Sequence, residues 1–313
     1  MWRYAGRRAL ATVPVMAVVA LFVFSLLYVA PGDPAAIIAG DQASAEDIAR
    51  IRVSLGLDRP FLVRFGEWLW HVLHGDLGTS IFANLPVTHM IAQRVEPTLS
   101  LMVLTLVFAI IVAVPVGVLA AARAGSWIDR LVMLFAVIGF SVPVFVVGYV
   151  LAWVFALELD WLPVQGYTPL AQGVLPWLRG LVLPVVALGA IYIALIARIT
   201  RAAMLEVLGQ DYVRTARAKG LGLAPILFVH ALKNAAVPIV TVIGLGVALL
   251  IGGAVVTESV FAIPGVGRLV VDAILRRDYP VIQGVTLLFS FVYVVVNLIV
   301  DLLYTVLDPR IRQ

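Results

Sequence analysis

The chain has 313 residues, of which 63% are apolar and 13% charged, about half the charged share of an ordinary soluble domain. That composition points to lipid as the solvent, and the absence of Cys excludes disulfides, thiolate metal centres and a Cys nucleophile. A pI near 9.6 would suit a nucleic-acid partner only if the 22 Lys and Arg formed a basic face, and their placement along the chain gives them a different role.

A helix needs about 20 apolar residues to cross roughly 30 Å of hydrocarbon. Six intervals free of Asp, Glu, Lys and Arg meet that length: Arg8 to Asp33, Glu96 to Arg123, Arg130 to Glu158, Arg179 to Arg198, Lys233 to Glu258, and Asp278 to Asp301. The first follows Arg3, Arg7 and Arg8 as a signal peptide would. Its 24 uncharged residues exceed an h-region of about 7 to 15, so it is expected to remain as a helix.

Residues 33–96 form a large external segment with helical patterns of its own. Ser44 and Asp47 have capping-box spacing for a short helix that Gly56 stops. Pro60 opens another, in which Phe61, Leu62, Phe65, Trp68, Leu69, Val72 and Leu73 recur at helical spacing up to Gly75. Such an amphipathic helix suits a plug on the bundle, a lipid surface or contact with substrate. The uncharged interval from Trp161 to Leu178 carries Pro163, Pro169, Pro176, Gln165, Gln172 and Gly173, which predicts an external loop.

Six spans place both termini on one side. The amino terminus, the second and fourth connections and the carboxyl terminus hold 13 Lys or Arg against 5 Asp or Glu, and the opposite face holds 9 against 13. Positive charge marks the cytoplasmic side, so both termini are expected inside an inner (plasma) membrane, and the basic pI reports topology rather than nucleic-acid binding. The expected organisation is an all-α membrane protein: a terminus 1–8, a first span 9–32, the external segment 33–96, a five-helix core 97–310 with a cytoplasmic loop 211–235, and a tail 311–313.

The loop between the fourth and fifth spans reads Gly209-Gln-Asp-Tyr-Val-Arg-Thr-Ala-Arg-Ala-Lys-Gly220, then Leu-Gly-Leu-Ala, then Pro225-Ile-Leu-Phe-Val-His-Ala-Leu-Lys-Asn234. Asp211 can cap a short helix carrying Arg214, Ala216 and Arg217, which Gly220 and Gly222 end. Pro225 suits the first position of a second helix running toward Pro238. Two short helices about a small-residue turn make a rigid knob whose cations can meet lipid phosphate or partner carboxylate, or else an ordinary positive cytoplasmic loop.

Thr215-Ala-Arg-Ala-Lys-Gly220 followed by His230-Ala-Leu-Lys-Asn234 and Pro238 resembles the coupling-loop signature of permeases in binding-protein-dependent ABC importers. The wider family pattern is Glu-Ala-Ala, three residues, then Gly, with a Leu-Pro further on. Here Arg214, Thr215 and Ala216 occupy the Glu-Ala-Ala positions, and Lys233 stands about where that Pro would be. The departure resembles the dipeptide and oligopeptide branch, of first-permease type. So do Pro31-Gly-Asp-Pro34, Leu55-Gly-Leu-Asp-Arg-Pro60, Gly75-Asp-Leu-Gly78 and Leu307-Asp-Pro-Arg310, and the likeness covers nearly the whole chain.

The resemblance implies a type I importer permease in which Asp211, Arg214, Thr215, Ala216, Arg217, Lys219 and Gly220 seat in a groove on a cytoplasmic ATPase. It further implies a second homologous permease, two ATPase subunits or domains and an external peptide-binding protein. The chain has no Gly-x-x-x-x-Gly-Lys-Ser/Thr phosphate loop, so ATP and Mg are expected on the partners, and no cofactor or metal on this chain. Related permeases serve dipeptides, longer peptides, glutathione and nickel chelates.

Gly244, Ala248 and Gly252 in the fifth span have the small-x-x-x-small spacing of close helix packing, within the bundle or against the second permease. Ile263-Pro-Gly-Val-Gly267 breaks the helix, and Val266, Leu269, Val270, Ala273 and Ile274 predict a short amphipathic helix before Arg276, Arg277 and Asp278. With Glu258, Arg276 and Arg277 are candidates for an outer gate or docking rim, the alternative being solvated or paired interface charges. Asp301, four residues after Asn297 near the inner end of the sixth span, is a functional candidate as an ionisable residue in a span, the alternative being a solvated or paired structural role. His71, His74, His89 and His230 lack ligand spacing with carboxylates. An ion-coupled carrier would need buried charges or paired broken helices, and a hydrolase a nucleophile beside a base; Ser141 and Ser290 have no His in their spans.

Overall fold

Without water, every backbone N–H and C=O must be paired within its own segment, so apolar stretches of this length become helices. The computed structural model describes residues 2–29, 34–39, 44–54 and 57–307, and within them a lone bridge between Thr79 and Pro86 is the one trace of extended pairing. The motif residues 31–33, 55–56 and 308–310, the helix stop at Gly56 and the tail 311–313 lie outside the described residues. The order is α1 (Trp2–Val29), α2 (Pro34–Ala39), α3 (Ala45–Ser54), α4 (Phe61–Leu73), α5 (Val87–Ala122), α6 (Trp127–Ser141), α7 (Val144–Leu151), α8 (Val174–Leu208), α9 (Asp211–Ala218), α10 (Leu223–Pro225), α11 (Leu232–Asn234), α12 (Ala236–Val260), α13 (Val266–Arg276) and α14 (Tyr279–Leu307).

Among the described residues, five helices are long and apolar enough to cross a membrane: α1 through Leu10–Val29, α5, α8, α12, and α14 through Tyr279–Leu302. The third expected span is not a straight helix. α6 and the α7 arm, which continues through a π turn at Ala152–Glu158, meet at 103°. Pro143 is the cause: it lacks an N–H and drives Val142 to extended backbone at φ −87, ψ 124, so the ladder stops at Ser141. Helix ends also differ from the charge-free intervals. α5 starts at Val87, inside the segment expected to be external, and its 36 residues are about 54 Å long, more than a bilayer core. The Trp161–Leu178 loop ends at Gly173, whose φ of 128 precedes the first turn of α8.

The chain divides into two compact units, one of Met1–Trp2, Val95–Arg268 and Val295–Gln313, the other of Arg3–Arg94 and Leu269–Val294. In the first, α8 is the central helix, burying Leu181, Leu188, Tyr192 and Ile196 in a core with Leu101, Leu250 and Phe261. Small residues set the closest crossings: a Cβ on Gly117 would lie 2.7 Å from the Ala197 carbonyl oxygen, and one on Gly253 would lie 2.6 Å from Leu188 Cδ1. The loop before α8 is fastened to α5 by polar groups. Glu96 Oε1 accepts from Tyr167 O–H and Leu170 N–H, each at 2.9 Å, and Trp177 Nε1–H donates to Ser100 Oγ at 3.2 Å.

In the second unit, α3 opens with the expected capping box: Ser44 N–H donates to Asp47 Oδ2 and Asp47 N–H to Ser44 Oγ, both at 3.2 Å. Pro60 precedes α4, and the apolar stripe of α4 packs on α1. Phe24 is the hub, with ring centroids 5.3 Å from Phe61, 5.5 Å from Phe65 and 5.3 Å from Trp68. The Arg64 guanidinium bonds to the Tyr28 hydroxyl and stands 5.8 Å from the Phe24 ring centre.

Candidate functional site

The knob at 211–235 takes its rigidity from three local devices. Helix α9 ends in a Schellman turn: Gly220 N–H donates to the Arg217 carbonyl at 2.9 Å and Leu221 N–H to that of Ala216 at 3.2 Å, while Gly220 itself sits at φ +80. Asn234 Nδ2–H donates to the Tyr212 hydroxyl at 2.9 Å and to the His230 carbonyl at 2.8 Å, which joins the two halves. Between α10 and α11 a π turn, Ile226–Ala231, buries Leu227 and Ala231 in a cluster with Val118, Ala121, Ala203, Met204, Ala235 and Ile239, so the second half is seated on the ends of α5, α8 and α12.

Two local expectations are corrected. Asp211 is the first residue of α9 and Gln210 its cap; the Asp211 carboxylate makes no capping bond and instead accepts from Arg214 Nη1–H at 3.3 Å. Pro225 is the last residue of α10, which starts at Leu223 after Gly222. Pro at the third position costs no hydrogen bond, because the first turn has no internal acceptors.

Val213 is fully buried beneath α9, while Asp211, Arg214, Thr215, Arg217, Lys219 and Gly220 are exposed and Ala216 is half-buried. The Thr215 hydroxyl donates to the Asp211 carbonyl at 3.0 Å. The Arg214–Asp211 pair is so exposed, at 77% and 96%, that it contributes little to stability. The knob also exposes Tyr212, Leu223, Phe228 and Val229, which sequence periodicity missed. A π turn adds a residue per turn and rotates Phe228 and Val229 away from the buried side; no 3.6-residue template detects that. Exposed apolar side chains thus stand beside exposed cations on a rigid base.

A second polar device lies in the same unit. Asp129 accepts from Arg201 Nε–H and, at 2.7 Å, from Arg201 Nη2–H, and its Oδ2 also takes Gly125 N–H at 2.9 Å. The bidentate pair fixes the short turn between α5 and α6 to α8.

The expected packing stripe divides. A Cβ on Gly244 would lie 2.4 Å from Val300 Cγ2, so α12 meets α14 there, whereas a Cβ on Gly252 would have nothing within 4 Å and Ala248 is half-buried. The tight contact of α12 with α8 is at Gly253.

Glu258 follows the paired alternative and is corrected as a docking-rim charge. It is fully buried, with Oε1 accepting from Thr98 Oγ1–H at 2.6 Å and Oε2 from Arg268 N–H at 2.8 Å. Burial leaves it no surface with which to dock cargo or a partner. Arg276 and Arg277 are exposed at the end of α13, with Arg277 at φ 57. Next to them the buried Asp278 accepts from Ser80 Oγ–H at 2.5 Å and Ile81 N–H at 3.2 Å, fixing the 78–81 loop.

A bundle of apolar helices carrying a rigid basic knob defines a multi-spanning membrane protein. The family model described as "Binding-protein-dependent transport system inner membrane component" matches residues 113–313, and that for the N-terminal part of such components matches residues 1–102. The chain belongs to this family and is a multi-pass inner-membrane permease of the ABC transporter class. It is 56% identical over 309 residues, 99% of each chain, to a probable peptide ABC transporter permease of Sinorhizobium fredii. A putative peptide transport system permease of Brucella abortus is 47% identical over 98% of both chains, and a glutathione transport system permease of Salmonella typhimurium 43% identical over 100% of this chain and 99% of its own. In fold it is similar to a solved chain of the methionine ABC transporter MetNI in an inward-facing conformation, with a TM-score of 0.58 at 19% identity over 70% of this chain and 96% of that one. The fold is thus that of a type I importer permease.

Proposed function

We propose that the chain forms half of the translocation path of an ATP-driven peptide importer. A second, homologous permease forms the other half. Two ATPase subunits or domains carry ATP and Mg and grip the 211–235 knobs, and an external binding protein delivers cargo. This chain hydrolyses nothing itself, in keeping with its lack of a phosphate loop. The observation that carries the reading is the rigid knob, whose exposed cations and apolar side chains stand on a base packed into three long helices. Closure of the ATPases displaces the knob as a solid body, and the bundle rocks with it, opening one side and closing the other. The excess of Lys and Arg on one side supports a cytoplasmic knob and cytoplasmic termini.

The glutathione transporter likeness keeps a small tripeptide-like cargo as the second reading. Vesicles holding the complete assembly, loaded inside with ATP and supplied with binding protein, test both. ATP-dependent uptake of a labelled dipeptide or oligopeptide, competed by unlabelled peptide and poorly by glutathione, is expected. Accumulation by vesicles containing this chain alone would contradict the division of labour.

A further inference from the structure

A fully buried carboxylate needs a reason, because removing its charge from water costs several kcal/mol unless each oxygen is engaged. At Glu258 the engaging groups come from the start of another helix. The first turn of α13, beginning at Val266, has N–H groups without intrahelical acceptors and a partial positive charge. Arg268 N–H donates to Glu258 Oε2 at 2.8 Å, and Val266 N–H donates at 2.8 Å to Thr98 Oγ1, whose own proton goes to Glu258 Oε1 at 2.6 Å. Helix α13 is therefore capped by side chains from α5 and α12 rather than by a neighbour in sequence.

The two glycines of the Pro264-Gly-Val-Gly267 turn are needed for space. Neither has a positive φ. A Cβ on Gly265 would lie 2.2 Å from Glu258 Cδ, and one on Gly267 would lie 2.7 Å from Val255 Cα and 2.9 Å from Glu258 Oε2. The chain comes this close so that its N–H groups reach the carboxylate.

We propose that Glu258 and Thr98 are positioning residues for transport: the clasp makes the adjoining parts of α5 and α12 and the first turn of α13 move as one body when ATP drives the alternation. The inference rests on the transport reading above. Loss of an acceptor leaves a buried N–H or O–H unpaired, which frees the first turn of α13 from the two spans and loosens the tie between hydrolysis and cargo movement.

The test measures peptide taken up per ATP hydrolysed by the complete reconstituted assembly. Thr98→Ser keeps the hydroxyl and is expected to stay within about twofold of wild type. Thr98→Val keeps the shape without the hydroxyl and is expected to lower the ratio about tenfold, with membrane abundance and basal hydrolysis retained. Adding Glu258→Gln to Thr98→Val should do little more than either alone, because both break one network. A purely structural role would lower abundance and uptake together and leave the ratio unchanged. Should Glu258→Gln fail to assemble, the Thr98 pair decides. Wild-type coupling in Thr98→Val, or equal damage in Thr98→Ser, overturns the inference alone, whereas a wild-type assembly that moves no peptide overturns the transport reading and the inference with it.

Discussion

Gly220 and Gly244 are both glycines for reasons that a substitution separates. Gly220 has open space around it but lies at φ +80, so any side chain there carries left-handed strain of about 1 kcal/mol. Gly244 has no conformational demand and no room, with Val300 Cγ2 2.4 Å from a would-be Cβ. Gly244→Ala is expected to destabilise the purified chain by about 1–3 kcal/mol through displacement of α14, and Gly252→Ala to leave it unchanged, as read by thermal melting in detergent. The same comparison applies to charge. Asp129→Ala strands the Arg201 guanidinium; because Arg201 keeps 26% exposure, the loss is expected near 2 kcal/mol, below the roughly 3–5 kcal/mol of a fully buried pair. Asp129→Ala with Arg201→Ala should recover part of it.

At the scale of elements, the sequence was legible where a signal is local. The Ser44–Asp47 box, Pro60 before α4, and Gly220 after α9 each act within a few residues, and each stands where its spacing placed it. Charge-free intervals located the lipid-crossing parts of five helices but not their ends, because a helix continues past the hydrocarbon for as long as its N–H groups find acceptors. The bend at Val142–Pro143 is not legible from Pro alone, because Pro14, Pro97, Pro115 and Pro184 lie inside helices that run on without a break. Burial of Glu258 was not readable at all: its partner Thr98 lies 160 residues away, and only the packed helices bring them together. The α4–α1 contact has the intermediate character of a stripe whose target the sequence does not name. Its hub predicts that Phe24→Ala, at about 3–5 kcal/mol for a well-packed aromatic, releases α4 and speeds amide hydrogen exchange across 61–73 by more than tenfold, while exchange in α8 stays the same.

In the whole molecule the rigid part is the core around α8, and the proposed function places docking at the knob and the energy source on partner chains. The proposed coupling role demands stiffness, because a misplacement of about 1 Å in a positioned contact costs orders of magnitude in the step it serves. The Schellman turn, the Asn234 tie and the cluster beneath the π turn supply that stiffness. In intact spheroplasts a Cys placed at 217 should be hidden from an impermeant thiol reagent and one placed at 44 should react, the reverse pattern contradicting a cytoplasmic knob.

The central claim is that drive enters through Gly220 and its neighbours. It is tested most directly by peptide uptake per ATP in vesicles bearing the complete assembly with Gly220→Leu. Normal membrane abundance with uptake lost is expected, because the ATPases dissociate or hydrolyse without moving cargo. Wild-type uptake with normal ATPase binding would contradict it and reduce 211–235 to a charged connection.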